Sequence, residues 1–488
     1  MNVFSHSDPD FGGQINRLLA PSSLFDPAIE QQTQSIIDAV RARGDEAIAE
    51  LTERFHGPKL DPDQFAVTRA EWLAASVQAD PSLRNAVAET LKNVEAFARR
   101  SLRRDWSMRN SHGATVGEKF DPLARVGIYI PGGMAPLVST ALMTIPLARA
   151  AGCRDIVVCT PCDRQGGVNP ALLYAARTAG ATEMYRIGGA QAIAALALGT
   201  PAIPKVNKIF GPGNAYVVAA KRLLFGHAAM DLLPGPSELL VLADDSAAAP
   251  CIAADLLAQA EHGSGHERVW LLTTSGKLLR AVQKEISRQL PKTSRREFIA
   301  RVLDRNAWLI QVSDLRQGIE LANRLAPEHL EIMTRRAAQV ARQLTTAGAI
   351  FLGVYTPTVL GDYVAGPSHT LPAGGTGASF AGLTADQFQR RTSVIAYTKP
   401  ALRRAMKTVK KFAELEGLDA HGCSAAIRLK AKLSQGGGET PSNPLDCLLI
   451  QPLAFSLVHQ SSSRGSNANL SGLPIEIFLK PGCAGLSR

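Results

Sequence analysis

The segment from Leu321 to Met333, "LANRLAPEHLEIM", sets a carboxyl beside an imidazole at Glu328 and His329. Such a pair can move protons near neutral pH, because histidine titrates there. The same residues also read as a helix start. Pro327 suits the first helical turn, and Glu328 next to it is favoured by the helix dipole. Local sequence leaves the two readings level.

Other stretches carry donor groups. In "AQAEHGSGHE" Gln259 and His262 are three apart, on one face if the stretch is helical. The bland reading is a histidine near a helix C-terminus, and glutamine is an uncommon zinc ligand. Asp362 and His369 share the Gly- and Pro-rich loop "GDYVAGPSHTLPAGGTG", and "ELEGLDAHGC" holds Glu416, Asp419 and His421. Asp and His are suitable zinc ligands; an Asx turn and ordinary surface polarity explain them equally well in isolation. Cys153, Cys159 and Cys162 offer a single C-x-x-C with no second pair at finger spacing, and their apolar setting reads as buried thiols.

These groups need elements to hold them. From about residue 26 to 120 the apolar spacing is mostly helical. Then short apolar strands alternate with helices: "VGIYI", "DIVVCTP", "EMYRIG", "KIFGPG", "SELLVLAD" and "RVWLLTT". That alternation predicts parallel sheets with crossover helices. Glycine turns follow three of the strands, at 131–133, 187–191 and 211–214. Glycine there lets backbone N–H groups approach a phosphate, yet none completes G-x-G-x-x-G.

The expected architecture is α/β, with two incomplete Rossmann-like parallel-sheet domains, one inserted in the other. Residues 1–25 form an N-terminal segment. Residues 26–120 with 238–384 form the first domain, 121–237 the inserted domain, and 385–432 a helical C-terminal segment. The stretch 433–488, a linker-like "LSQGGGETPSNPLD" and a polar, low-complexity "QSSSRGSNANLSG" on either side of the apolar run "CLLIQPLAFSLVH", is expected to be a disordered tail. Seven scattered cysteines fit a reducing cytoplasm better than a disulfide framework. The start of the chain shows no signal-peptide pattern, and the apolar run 187–204 is too broken for a membrane helix. The formal charge of +10 is dispersed and accompanied by no nucleic-acid motif.

Taken in order, "VGIYIPGG", "GGAQAIAAL", "KIFGPGNAYV", "GPSELLVLAD", "AEHG", "APEHLEI", "GDYVAGPSHTLP" and "EGLDAH" resemble the histidinol dehydrogenase family, over roughly residues 8 to 432. The resemblance implies a zinc-dependent homodimer in which the two subunits share a site. It implies oxidation of L-histidinol to L-histidine through the bound aldehyde, in two NAD-linked steps. It puts zinc on Gln259, His262, Asp362 and His421. It puts NAD near Tyr129, Gln191 and Asn214, and substrate near Ser237, Glu416, His329 and the zinc ligands. It makes Glu328 and His329 the acid/base centre, with His329 taking the proton in each oxidation and Glu328 activating the hydrating water. Pro234, Cys423 and everything beyond about Lys432 depart from the family pattern.

Three other readings compete. A related zinc and NAD enzyme for another small polar alcohol, such as a sulfonated diol, would share most of the site. A zinc hydrolase would use Glu328 without a dinucleotide, against the glycine turns. A catalytically silent binding protein would not need the complete constellation.

Overall fold

The structure is a computed structural model that describes residues 1–19, 26–132, 137–233, 235–262 and 264–430. The chain opens with β1 (Asn2–Ser5), and after a run of helices come β2 (Trp106–Arg109) and β3 (Thr115–Pro122). Five short strands follow: β4 (Arg125–Tyr129), β5 (Asp155–Cys159), β6 (Glu183–Tyr185), β7 (Lys208–Phe210) and β8 (Ala229–Met230). Next are β9 (Glu238–Ala243), β10 (Arg268–Thr273), β11 (Ala307–Gln311), β12 (His329–Met333) and β13 (Ala349–Leu352), and last β14 (Gln389–Ala396).

Two sheets dominate, and both are parallel. One runs β1-β11-β10-β9-β12-β13, the other β6-β5-β4-β7-β8. A third, small sheet has the order β14-β3-β2. Helices cover both faces of a parallel sheet, so its strands read as continuous apolar runs. Accordingly all six residues of β9 and all five of β12 are buried. In each large sheet the strand order reverses once, between β9 and β12 and between β4 and β7. Open α/β sheets usually bind ligands at such a switch point, beyond the carboxyl ends of the strands.

The sequence reading grouped residues 26–120 with the later sheet. In the structure the helix Pro27–Arg43 packs on Gly189–Leu198 and Ala215–Leu223, and Pro81–Ser101 packs on Val138–Ala151. Ile36, Ile37 and Val40 share a core with Ile193 and Val217. Their apolar stripes therefore cover the five-stranded sheet. Residues 2–5, expected as a terminal segment, supply the edge strand β1 beside β11. The stretch 385–432, expected to be helical, includes the strand β14 before its two helices.

The described residues divide into two compact units, 1–108 with 116–395, and 109–115 with 396–430. In the second unit the helices Lys399–Leu415 and Asp419–Lys430 pack on each other, and the Arg404 guanidinium donates to the His112 carbonyl at 2.8 Å. The expected tail, 433–488, lies outside the described residues. No described helix is long and apolar enough to cross a membrane.

Candidate active site

"APEHLEI" is a strand entry. The helix Leu315–Leu325 is closed by Ala326 in the left-handed region, at φ 46°. Pro327 follows, with no N–H to extend the helix. The chain then runs into β12, between β9 and β13. The helix-start reading of Pro327–Glu328 is thus overturned, because β-pairing on both sides wins over local propensity.

This entry places both side chains against β9. The Glu328 Oε2 accepts the Glu238 backbone N–H at 2.8 Å. The His329 Nδ1 lies 2.9 Å from the Glu238 carbonyl oxygen. A carbonyl can only accept, so Nδ1 carries the proton and Nε2 is left with a free lone pair. Burial holds the His329 pKa below its ordinary value, and His262 adds to that; the Asp362 charge and the Glu238 carbonyl oppose it. Burial pushes Glu328 well above the usual carboxylate range, with Glu238 and Asp362 contributing; the Glu238 N–H and Ser237 oppose it. The two side chains stand 3.5 Å apart. The Glu238 carboxyl is itself buried, which raises its pKa to about 7, and it accepts the Gly374 N–H at 3.0 Å.

Of the expected metal donors, Gln259, His262 and Asp362 belong to the first unit. Gln259 lies in the last turn of the helix Ala249–Ala260, only 3% exposed, and its Nε2 has no hydrogen-bond partner. His262 follows just past the helix end and is exposed. Asp362 sits on the short helix Val359–Tyr363, with His369 Nδ1 at 3.7 Å from its carboxylate. His262, Asp362 and His329 all act electrostatically on His369, so these four groups are neighbours. The His369 Nε2 also faces the Thr140 hydroxyl at 3.3 Å, bringing the helix Val138–Ala151 to the site. Glu416 and His421 belong to the second unit, where both are exposed. Among the described residues no three side chains of His, Cys, Asp or Glu converge closely enough to hold an ion. The expected set has only His262 and Asp362 of those types in the first unit. A buried amide with an unpartnered atom nonetheless suits an added partner, since buried polar groups are otherwise hydrogen-bonded.

A separate cleft of about 920 Å³ is lined by Tyr129, Gln191 and Asn214 together with Gly132, Gly188 and Gly189. It opens at the carboxyl ends of β4 and β7, at the switch point. Tyr129 ends β4, and its hydroxyl accepts the Gly189 N–H at 3.0 Å, at the start of the helix Gly189–Leu198. Burial raises this phenol to about 12. Gln191 is 4% exposed with an unpartnered Oε1, and Asn214 caps the helix Ala215–Leu223 through the Val217 N–H at 3.1 Å. The preceding turn needs Gly211, at φ 108°, because a Cβ there would stand 2.1 Å from the Tyr129 carbonyl oxygen. The acid/base pair, by contrast, stands at the amino edge of the six-stranded sheet.

Sequence reasoning missed the hinge role of Glu238, and it quoted His369 without assigning it a site. Both stand in motifs already singled out, "PSELL" and "GPSHT", but no spacing rule ties Glu238 to residues some ninety positions on, or His369 to His329 forty positions before it. Cys153 and Cys159 are buried free thiols, with burial raising the Cys153 pKa to about 12, and Cys162 is half-buried.

Two parallel α/β sheets, a cleft at one switch point and a desolvated acid/base pair in the other sheet define a dehydrogenase-type oxidoreductase. The family model for histidinol dehydrogenase matches residues 21–429, and the chain belongs to that family. It is 42% identical over 412 residues to the histidinol dehydrogenase of Heliobacterium mobile, covering 84% of this chain and 96% of that one. It is 42% identical over 423 residues to that of Geobacillus kaustophilus, covering 86% and 99%. The crystal structure of histidinol dehydrogenase from Elizabethkingia anophelis matches with a TM-score of 0.83 at 33% identity, over 89% of this chain and 99% of that one.

Proposed function

We propose that the chain oxidises L-histidinol to L-histidine through L-histidinal, as the last reaction of histidine biosynthesis. The observation that carries this reading is the tautomer of His329. Its Nδ1–H is committed to the Glu238 carbonyl, so Nε2 is available to take the hydroxyl proton as the alcohol is oxidised. An aldehyde has no second hydride to give until water adds to it. Glu328, bound through one oxygen by the Glu238 N–H, is placed to orient that water and pass its proton. Enclosure of both groups keeps bulk water from competing.

NAD, when bound in the cleft lined by Tyr129, Gln191 and Asn214, supplies the hydride acceptor. The unpartnered Gln191 oxygen and the glycine-lined wall fit a polar dinucleotide lying close to the backbone. Zinc, when held by Gln259, His262, Asp362 and His421, supplies a Lewis acid that anchors the amino and imidazole nitrogens of the substrate. Ser237 and Glu416 complete the substrate contacts. The reading includes a homodimer that shares its sites, as the family resemblance implies, with Glu416 and His421 as the residues contributed across it. The test is absorbance of NADH when purified protein is mixed with L-histidinol and NAD, with a sulfonated diol as the competing substrate. NADH from the diol alone would replace histidinol as the substrate.

A further inference from the structure

Two further carboxyls lie behind the acid/base pair. Glu331 is 1% exposed and stands two residues beyond His329 on β12, so both side chains leave the same face of the strand. Its Oε1 accepts the Thr358 backbone N–H at 2.9 Å. Thr358 is the residue that opens the helix bearing Asp362, and its own side chain makes no capping bond. Glu331 therefore satisfies a helix-start donor that would otherwise be orphaned. Its other oxygen, Oε2, is buried and receives no N–H or O–H from any ordinary donor. The neighbouring carboxyl is that of Asp255, 8% exposed, one turn before Gln259 on the helix Ala249–Ala260, whose Ile252 and Leu256 share a core with Met333 of the same strand. Among the described residues no lysine, arginine or histidine contributes to the electrostatics of either carboxyl.

We infer that Asp255 and Glu331 form a proton-sharing acid pair that holds three site-bearing elements in register: the Gln259 helix, the His329 strand and the Asp362 helix. Two enclosed carboxylates without a cation cannot both be ionised, so one donates its O–H to the other. Burial raises Asp255 to about 6 and, with the neighbouring Asp255 charge, Glu331 to about 9, in keeping with one retained proton. Neither residue touches substrate in this account. They are positioning residues, and the inference rests on the metal set proposed above.

The experiment uses the zinc-loaded full-length protein and a chelator. The parent is first required to hold zinc; a parent that holds none overturns the metal set itself. With a zinc-holding parent, Glu331→Met and Asp255→Ala should release the metal at least about tenfold faster, the scale of lost support around metal ligands. Glu331→Gln keeps an acceptor for Thr358 and a donor for Asp255, so it should restore slow release. Release rates equal to the parent in folded Glu331→Met and Asp255→Ala protein would overturn the inference. Should those variants not fold, infrared spectroscopy decides it on parent and Glu331→Gln. The difference spectrum should contain a protonated-carboxyl stretch at neutral pH in the parent, lost in the variant, and its absence would overturn the shared proton.

Discussion

At the scale of single residues, the main chain of Glu238 holds both members of the proposed acid/base pair. Its N–H binds Glu328 and its carbonyl orients His329, so one residue of β9 sets both partners. His329→Asn should slow oxidation of histidinol and of histidinal alike, by about 10²–10⁴-fold, the usual contribution of positioned proton transfer. Glu328→Gln should harm histidinal oxidation most, because only that step needs added water. Single-turnover kinetics from each substrate, with zinc content measured alongside, separates the roles. Equal and mild effects on both steps would make the pair structural. The sequence displayed the pair but not its backbone hinge, since nothing in "PSELL" announces that its main chain will face residues 328 and 329.

At the scale of elements, two buried devices fix the turns. The Lys221 ammonium and the Asp231 carboxylate are fully enclosed, 2.5 Å apart. Lys221 also donates to the Gly211 carbonyl at 2.6 Å, and Asp231 accepts the Gly211 N–H at 2.7 Å. Together they clamp the turn that leads to Asn214. Lys221→Met would strand a buried carboxylate, at a cost of about 3–5 kcal/mol. The variant should melt at a lower temperature and show a raised KM for NAD. An unchanged melting curve and KM would show the clamp to be idle. The carboxyl of Glu331 gives a pH signature. Its folded pKa of about 9 lies above the ordinary 4.5, so its contribution to stability is present at low pH and lost as the pH rises through 9. Asp255 is raised only to about 6, and Glu238, raised to about 7, is present in both parent and Glu331→Gln, so above pH 6 the difference between the two proteins belongs to Glu331. Between those values the melting temperature of the parent should fall relative to Glu331→Gln; a constant gap would contradict the assignment. The parallel strands were legible as apolar runs, and the glycine turns as turns. The sheet on which the N-terminal helices pack was not, because an apolar helix face does not name its partner. β12 was misread locally because Pro327 and Glu328 also satisfy the rules for a helix start.

At the scale of the whole molecule, the chain uses its two parallel sheets differently. The five-stranded sheet offers a cleft at its carboxyl edge, where such sheets usually bind ligands. The six-stranded sheet carries its acid/base pair at the opposite, amino edge, and a fold rule alone would have looked on the wrong side. What located that pair in the sequence was side-chain chemistry together with the ordered series of family-like motifs. Residues beyond about 432 fall outside both the family match and the motif series. Truncation after Lys432 should leave activity and melting temperature unchanged, on the view that a stretch of this composition buries little apolar surface. Loss of either would assign the tail, and the apolar run 447–459 within it, to the fold.

The central claim is that one enclosed pair carries an alcohol through an aldehyde to an acid. The measurement that tests it most directly is the amount of NADH formed per L-histidinol consumed, with the final product identified. The account predicts two NADH for each histidinol, L-histidine as the product and no free aldehyde accumulating. One NADH with histidinal left in solution, or no NADH at all with zinc and NAD present, would contradict it.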